Sequence, residues 1–159
     1  MRKNLPYAVL VAVLVGLDQA SKALVEARIG LHATVPVIPG FFSLTHIRNK
    51  GAILGLFNGS GSRLVPLALG LLALAAMIMV AVSFLRTPAA HKLVRTSFAF
   101  IIAGALGNLV DRVVRGYVVD FLEMHIKRFY WPTYNVADAC ISIGAVLLIL
   151  AVFSRRQSA

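Results

Sequence analysis

Residues 64–85 read LVPLALGLLALAAMIMVAVSFL and run from Leu64 to Leu85 without one charged side chain. A helix needs about 20 predominantly apolar residues to cross the hydrocarbon core of a bilayer, and this stretch has that length. Pro66 falls in the first turn, where its missing N–H disturbs few helical hydrogen bonds. The stretch therefore predicts a transmembrane helix and places the chain in a membrane.

Three further apolar segments, at about 5–25, 93–114 and 136–153, predict three more spans. The 159 residues are 59% hydrophobic and only 14% charged, whereas soluble domains are roughly 45–50% apolar. The first segment follows two basic residues, as a signal peptide would, but it lacks a small-residue cleavage site and runs on to Asp18, so we interpret it as a retained span. We expect an all-α integral membrane protein with four transmembrane helices, folded as one domain over residues 1–159.

The stretch between the first two spans has the composition of folded β structure. Residues 41–47, FFSLTHI, resemble a strand, and the turn-forming sequence Asn49-Lys50-Gly51 follows them. We therefore predict a small β-like element on one side of the membrane.

The net charge of +10 is distributed as membrane proteins distribute it. Lys and Arg cluster at the ends of the apolar segments and form no stripe with aromatic residues, so we expect contacts with membrane lipids and none with nucleic acid. Seven basic residues lie on the side of the termini, in short tails and one short loop, whereas nine basic residues and all six acids lie on the other side. Positive charge in short loops favours the cytoplasm, so we predict that both termini are cytoplasmic.

Two aspartates at the edges of apolar segments, Asp120 and Asp138, are the leading candidates for chemistry. Carboxylates in such places are costly, which suggests a function. Two carboxyl groups held together away from bulk water tend to share one proton and titrate as a pair. Such a pair can work as general base and general acid, so we predict a catalytic dyad, although the first-turn position of Asp138 also suits the dipole of a helix.

Other polar residues converge at the same predicted depth. Asp18 and Lys22 are spaced i, i+4, so they either support a site or form an ion pair that makes a helix end tolerable. Asn108, Asp111 and Arg112 are predicted to project from one side of the third helix, as part of a site or as a polar end meeting water. Asn135 can share a face with Asp138 or cap the fourth helix.

Other catalytic patterns are absent from the sequence. The four histidines form no H-E-x-x-H pair and no G-x-S-x-G elbow occurs, so we expect neither a metal nor a cofactor. Cys140 is the only cysteine and lies inside the fourth span, where it is expected to pack as a small apolar residue.

Five motifs resemble those of the lipoprotein signal peptidases, also called signal peptidase II. They occur in the family's order over nearly the whole chain. They are Asp18-Gln19-Ala20-Ser21-Lys22, Asn49-Lys50-Gly51-Ala52, Gly104-Ala105-Leu106-Gly107-Asn108-Leu109-Val110-Asp111-Arg112, Gly116-Tyr117-Val118-Val119-Asp120-Phe121 and Tyr134-Asn135-Val136-Ala137-Asp138-Ala139. Tyr134, Ser21 and the pair Ile53-Leu54 depart from the family's commonest pattern.

The resemblance implies a bacterial aspartyl peptidase of the cytoplasmic (inner) membrane with four helices, an extracytoplasmic β-like cradle and an active site facing outward. It implies a diacylglyceryl-modified prolipoprotein as substrate, cut just before the lipidated cysteine, and inhibition by globomycin. We expect the enzyme to be a monomer. The resemblance implies Asp120 and Asp138 as the catalytic pair. The implied supporting or substrate-binding residues are Asn49, Asn108, Arg112, Asn135, Asp18, Lys22, Gly51 and Asp111.

Two other functions are compatible with the residues alone. A small proton- or ion-coupled carrier could use the same buried carboxylates as relays, so release of a signal peptide is the observation that separates it from a peptidase. A lipid-headgroup transferase would need a spaced cluster of metal-binding aspartates, and no such cluster is present in the sequence.

Overall fold

The computed structural model describes residues 2–50 and 64–156. A short 3-10 turn, Arg2–Asn4, opens this part of the chain. The elements that follow are α1 (Leu5–Arg28), β1 (Thr34–Ile38), β2 (Phe42–Asn49), α2 (Leu64–Arg86), α3 (Lys92–Val114), β3 (Val118–Ile126), β4 (Phe129–Tyr130) and α4 (Val136–Arg156). The chain is therefore mostly helical, with a small sheet, as the sequence predicted.

Three helical segments in the described residues are long and apolar enough to cross a membrane by length and composition. They are Leu5–Arg28, Lys92–Val114 and Val136–Ser154. Within α2, Leu74–Arg86 is a shorter apolar segment. The apolar helices begin at or within one residue of the predicted positions, and α1 and α4 each continue three residues past their predicted ends.

The four strands form one antiparallel sheet in the order β1-β2-β3-β4. Strand β2 overlaps the predicted strand at residues 41–47, whereas β1, β3 and β4 were not predicted. Asp120 was expected at the edge of an apolar segment, but it lies inside β3, opposite Ile47 of β2. The sheet therefore supplies one of the two candidate catalytic residues.

A small apolar core attaches the sheet to the end of α1. Val25 and Ile29 pack there against Val119 and Phe121 of β3. The other edge of β3 is tied to the segment before α4, because Phe121 N and Leu122 N donate to Tyr134 O at 3.0 and 2.8 Å. These two attachments place the start of α4 beside Asp120.

Helices α3 and α4 approach each other closely through glycine. A Cβ atom on Gly104 would collide with the carbonyl oxygen of Ala137 and lie 2.7 Å from Ile141 Cγ1. A Cβ on Gly107 would lie 2.6 Å from Asp18 Oδ2. Small residues allow this approach where helices meet in membranes. It brings the polar end of α3 against the first turn of α4.

Candidate active site

Asp120 is buried on β3 and accepts a hydrogen bond at each carboxyl oxygen. Asn135 Nδ2 donates to Oδ1 at 2.7 Å, and Asn49 Nδ2 donates to Oδ2 at 3.0 Å. Asn49 lies two residues beyond Ile47, so its side chain is on the same face of the sheet as that of Asp120. Burial raises the pKa of Asp120 to about 6, against the lowering effect of Asn49 and with a further raising effect from the charge of Asp138.

Asp138 lies in the first turn of α4, where it forms a reciprocal cap with Asn135. Asn135 Oδ1 accepts from the backbone N–H of Asp138 at 2.9 Å, and Asp138 Oδ2 accepts from the backbone N–H of Asn135 at 3.3 Å. Both bonds satisfy N–H groups that a helix start leaves unpaired. The capping role and the site role considered for Asn135 therefore occur together, because its amide nitrogen remains available to Asp120.

Two asparagine amides connect the two aspartates. Asn108 Nδ2 donates to Asp138 Oδ1 at 2.7 Å, and Asn108 Oδ1 accepts from Asn135 Nδ2 at 3.2 Å. Since Asn135 also donates to Asp120, a continuous path runs from Asp120 through Asn135 and Asn108 to Asp138. The path joins β3, α3 and α4, and each of the four carboxyl oxygens of the two aspartates accepts a hydrogen bond from a described residue.

A buried ion cluster lies directly behind this path. Lys22 is fully buried, and its ammonium group contacts Asp18 Oδ2 and Asp111 Oδ2, both at 2.8 Å, and Asn108 Oδ1 at 3.1 Å. An ammonium has three N–H donors, so all three are used. Asp18 also accepts from the backbone N–H of Ala137 at 2.9 Å, beside Asp138. The ion-pair and supporting interpretations of Asp18 and Lys22 are therefore both present in one cluster.

Two members of this cluster were not predicted as site residues. Arg115 pairs with Asp111 and donates to Gln19 Oε1 at 2.9 Å. Gln19 Nε2 in turn donates to Asp111 Oδ1 at 3.0 Å. Arg115 also pairs with Glu26 at 3.1 Å. The spacing of Asp111 and Arg115, i and i+4 on a helix, was the available signal for this pair.

Two predicted site residues are placed differently from the rest. Arg112 is exposed, and its Nη1 donates to the backbone oxygen of Asn108 at 3.3 Å, whereas Asn108 and Asp111 are buried. Of the three side chains predicted to share one side of α3, those of Asn108 and Asp111 thus face the interior, and that of Arg112 faces an outer groove. This groove of about 310 Å³ runs between α2, α3 and α4 and reaches Asn108 and Arg112. Gly51 lies outside the described residues.

A larger cavity of about 720 Å³ opens beside Asp138. Its walls include Phe41, Met124 and Tyr134 from the sheet side and Ile143 from α4. The lining is mostly apolar and includes Asp138. A chain with apolar side chains could therefore lie against Asp138 with little water around it.

The two aspartates, Asp120 and Asp138, provide the groups needed for general acid–base chemistry. Because burial raises the pKa of Asp120 to about 6, this carboxyl group can hold a proton in mildly acidic solution while the carboxylate of Asp138 accepts one. In the described part of the chain, no group of three or more His, Cys, Asp or Glu side chains is placed to hold a metal ion. The fixed amides orient both carboxyl groups before any ligand arrives.

Comparison with known proteins places the chain among membrane peptidases. A sequence model described as signal peptidase (SPase) II matches residues 10–154. A lipoprotein signal peptidase of Geobacter metallireducens is 41% identical over 155 residues, covering 96% of this chain and 94% of the relative. One of Desulforapulum autotrophicum is 41% identical over 140 residues, covering 88% of this chain and 86% of the relative.

Two solved structures of bacterial membrane enzymes have a similar fold. A bacterial membrane enzyme solved by the in meso method at 2.3 Å superposes with a TM-score of 0.82 at 26% identity, over 96% of this chain and 90% of that one. A second, at 1.9 Å, gives a TM-score of 0.79 at 28% identity over 92% of both chains. The match along most of the chain and the identity to its relatives both lead to one conclusion: this chain belongs to the signal peptidase II family.

Proposed function

We propose that the chain is a membrane aspartic endopeptidase that removes the signal peptide from diacylglyceryl-modified prolipoproteins and cleaves before the lipidated cysteine. Membership of the signal peptidase II family supports a peptidase rather than a carrier. The observation that carries the proposal is the amide path that joins Asp120 to Asp138 through Asn135 and Asn108. Two carboxyl groups held in fixed orientations are positioned to act on one bound peptide bond.

In the first half of the proposed reaction, Asp120 holds the shared proton, because burial raises its pKa. Asp138 takes a proton from a water molecule as that water attacks the scissile carbonyl carbon. Asp120 gives its proton to the carbonyl oxygen, so the tetrahedral intermediate forms without a free charge on oxygen. Asn108 and Asn135 hold the two carboxyl groups in place.

In the second half, the carbon–nitrogen bond breaks. Asp138 gives the proton that it took from water to the leaving amine nitrogen, and a hydroxyl proton of the intermediate returns to Asp120 as the carboxylic acid product forms. Both aspartates end in their starting states, and the sum is the addition of one water molecule across the peptide bond. Anchoring of the substrate by its lipid fixes the depth at which the bond is presented.

We propose separate roles for the supporting residues. Asn49, Asn108 and Asn135 orient the carboxyl groups, and the cluster of Asp18, Lys22 and Asp111 fixes the helices behind them. Arg112, exposed at the outer end of the α2–α3–α4 groove, is proposed to donate hydrogen bonds to the substrate's ester or peptide carbonyls. Gly51 is proposed as a substrate-side residue on the basis of the sequence motif alone.

We further propose that all four helices cross the bacterial inner membrane as one domain, with both termini in the cytoplasm and the aspartates toward the outer face. The protein works as a monomer, and globomycin inhibits it. Two matched cysteine variants test the orientation in a Cys140→Ser background. Ala33→Cys, on the side of the sheet, should react with a membrane-impermeant maleimide in intact cells, and Ala89→Cys, between α2 and α3, should react only after lysis. The reverse pattern would refute the orientation.

The dyad is tested with Asp120→Asn and Asp138→Asn, made separately and assayed on a lipidated precursor in bilayers. Each loses the general acid–base contribution, typically a factor of about 10² to 10⁴, so the released signal peptide should fall by at least that factor in mass spectrometry. Glu123→Gln neutralises an acid on the same strand and the opposite face, and it should retain activity. Near wild-type cleavage by either aspartate variant would show that the assignment is wrong.

A further inference from the structure

The β3–β4 hairpin ends in an exposed group of large apolar side chains. We call residues 126–131 the hairpin tip. Ile126, Phe129, Tyr130 and Trp131 are 61%, 62%, 58% and 61% exposed. Isolated exposed apolar residues are ordinary, but four in six consecutive residues form a patch, and such patches indicate a contact surface.

The rings of the hairpin tip are held in a defined arrangement. Trp131 N donates to Met124 O at 2.8 Å, and its ring meets that of Phe129 edge-on at 5.4 Å. Tyr130 pairs with His125 across the two strands and stacks on its ring at 4.8 Å. The turn is closed by Lys127 in the left-handed region, with φ 56°. The tip therefore presents its apolar side chains on an ordered strand pair.

The basic residues of the hairpin tip have the charge expected of a surface that contacts anionic lipid. Lys127 and Arg128 form the turn, the tip contains no acid, and neither residue makes an ion pair with any other described side chain. Aromatic rings of Trp and Tyr beside Lys and Arg are typical of the headgroup level of a bilayer. Anionic lipid attracts such cations near the surface.

The position of the tip agrees with that chemistry. Only residues 132–135 separate Trp131 from Val136, the first residue of the apolar helix α4. Five residue steps span at most about 18 Å, so the tip stays close to the level at which α4 leaves the bilayer. The connection between the tip and α4 is shorter than this maximum, because the backbone N–H of Tyr134 donates to Leu122 O of β3.

We infer that the hairpin tip is a membrane-docking surface that binds the anionic phospholipid headgroup layer of the leaflet beside the aspartates. Ile126, Phe129 and Trp131 enter the interface, while Lys127 and Arg128 contact lipid phosphates. Ile126, Phe129 and Trp131 also line the cavity that holds Asp138. Docking therefore fixes one wall of that cavity at interfacial depth. The inference depends on the membrane helices and stands independently of the proposed peptidase activity.

Trp131 is the only tryptophan of the chain, so its fluorescence reports on the tip of the unaltered protein. The full chain is reconstituted in bilayers of phosphatidylcholine with phosphatidylglycerol. We expect blue-shifted emission, quenching by lipids brominated near the headgroup and little quenching by aqueous iodide. Emission typical of water, with strong iodide quenching and none by bromolipid, would overturn the inference. Emission that changes as the protein is diluted in lipid would assign the surface to a second copy, and would overturn it too.

A charge variant tests the lipid preference. Lys127→Asn with Arg128→Gln removes both cations, and asparagine tolerates the left-handed turn. Bromolipid quenching in phosphatidylglycerol bilayers should fall by about half or more, because each basic residue near an anionic surface adds attraction. It should change little in bilayers of phosphatidylcholine alone. Arg86→Gln with Lys92→Gln, at the other end of the bundle, should match the wild type, and equal losses in both double variants would refute a specific role for the tip.

Discussion

Lys22 donates a hydrogen bond from its buried ammonium group to Asn108 Oδ1 at 3.1 Å. The same oxygen accepts from Asn135, so both contacts require oxygen on that side of the Asn108 amide. The NH₂ group must then face Asp138, to which it donates at 2.7 Å. A cation on α1 thus determines how an amide on α3 meets a carboxylate on α4.

Lys22→Met should therefore lower both stability and activity. It leaves Asp18 and Asp111 buried with fewer partners, a loss of about 3–5 kcal/mol. The amide of Asn108 loses a charge-assisted hydrogen bond of about 1.5–3 kcal/mol, which corresponds to a factor of roughly 10 to 160 in rate if the bond is needed for the reaction. Melting temperature in detergent and kcat on a lipidated precursor measure the two effects.

A second variant separates the two effects of Lys22. Lys22→Met with Asp18→Asn removes one charge of each sign, while Asp111 keeps Arg115 as its partner. We expect stability to recover partly and activity to remain low, since nothing then fixes the amide of Asn108. Activity that returned together with stability would mean that Lys22 only holds the fold.

The raised pKa of Asp120 predicts the pH dependence of cleavage. If Asp120 supplies the proton, the active form is lost as pH rises through its pKa of about 6, so kcat/KM should decline on the alkaline side of that value. Asn49 lowers this pKa by donating to Oδ2, so Asn49→Ala should raise it and move the decline to higher pH. The pH profile of kcat/KM measures the shift, which belongs to the coupled pair.

The control for this profile is Glu123→Gln. This acid is on β3 but on the opposite face from Asp120, so its loss should leave the position of the decline unchanged. A shift toward lower pH in Asn49→Ala would contradict the assignment of Asp120 as the proton donor.

The helices could be predicted closely because their signal is local. An uninterrupted apolar run specifies a helix in a bilayer without reference to any other part of the chain. The polar residues Asp18 and Lys22 fall inside α1 rather than at its end, because partners on α3 compensate their charges. The sequence predicted a common depth for these residues, but it could not show which of them are in contact.

The sheet was largely missed because strand pairing is not local. Residues 118–126, VVDFLEMHI, lack a regular alternation, and their pairing with β2 supplies the register. Strand β2 itself has an irregularity between Leu44 and Ile47, which a repeating pattern does not reveal. Asp120 was therefore identified as a candidate without the strand that carries it.

The second arginine at the end of α3, Arg115, shows the same limit. Arg112 shares a helix face with Asn108, and the family resemblance implies it as a supporting or substrate-binding residue, which stays a prediction. Arg115 shares a face with Asp111 and joins the buried cluster through Gln19, which is 96 residues away in sequence. Only the packing of α1 on α3 decides which arginine turns inward.

The glycine contact between α3 and α4 predicts a site-specific effect of one methyl group. In Gly104→Ala the new Cβ meets Ala137 O and Ile141 Cγ1, which belong to the first two turns of α4. The helices must separate, so we expect a lower melting temperature and a loosened contact between Asn108 and Asp138, with lower activity. Gly16→Ala is the control, because its Cβ would meet nothing within 4 Å, and it should be as stable as the wild type or slightly more so. Equal changes of melting temperature in both variants would show that the effect of Gly104→Ala comes from helix propensity and not from the contact with α4.

The contacts of Arg95 stabilise the end of the helix bundle that lies away from the aspartates. It is 4% exposed, and its guanidinium carbon lies 4.6 Å from the ring centroids of both Tyr7 and Phe84, while Nη2 donates to Asn4 Oδ1. A planar guanidinium can stack on two rings at once and an ammonium cannot, so Arg95→Lys should reduce stability by about 1–2 kcal/mol. Thermal unfolding in detergent measures the loss.

The matched variant for Arg95 is Arg86→Lys, in which the replaced arginine is exposed and a change of melting temperature is not expected. Because the Arg95 contacts join the start of α1 to the ends of α2 and α3 that lie away from Asp120, cleavage well below the melting temperature should remain close to the wild-type rate. A variant that lost activity without losing stability would mean that this end of the bundle communicates with the aspartates. The contacts between α1 and α3 would then transmit a change of position along both helices, as closely packed interiors can.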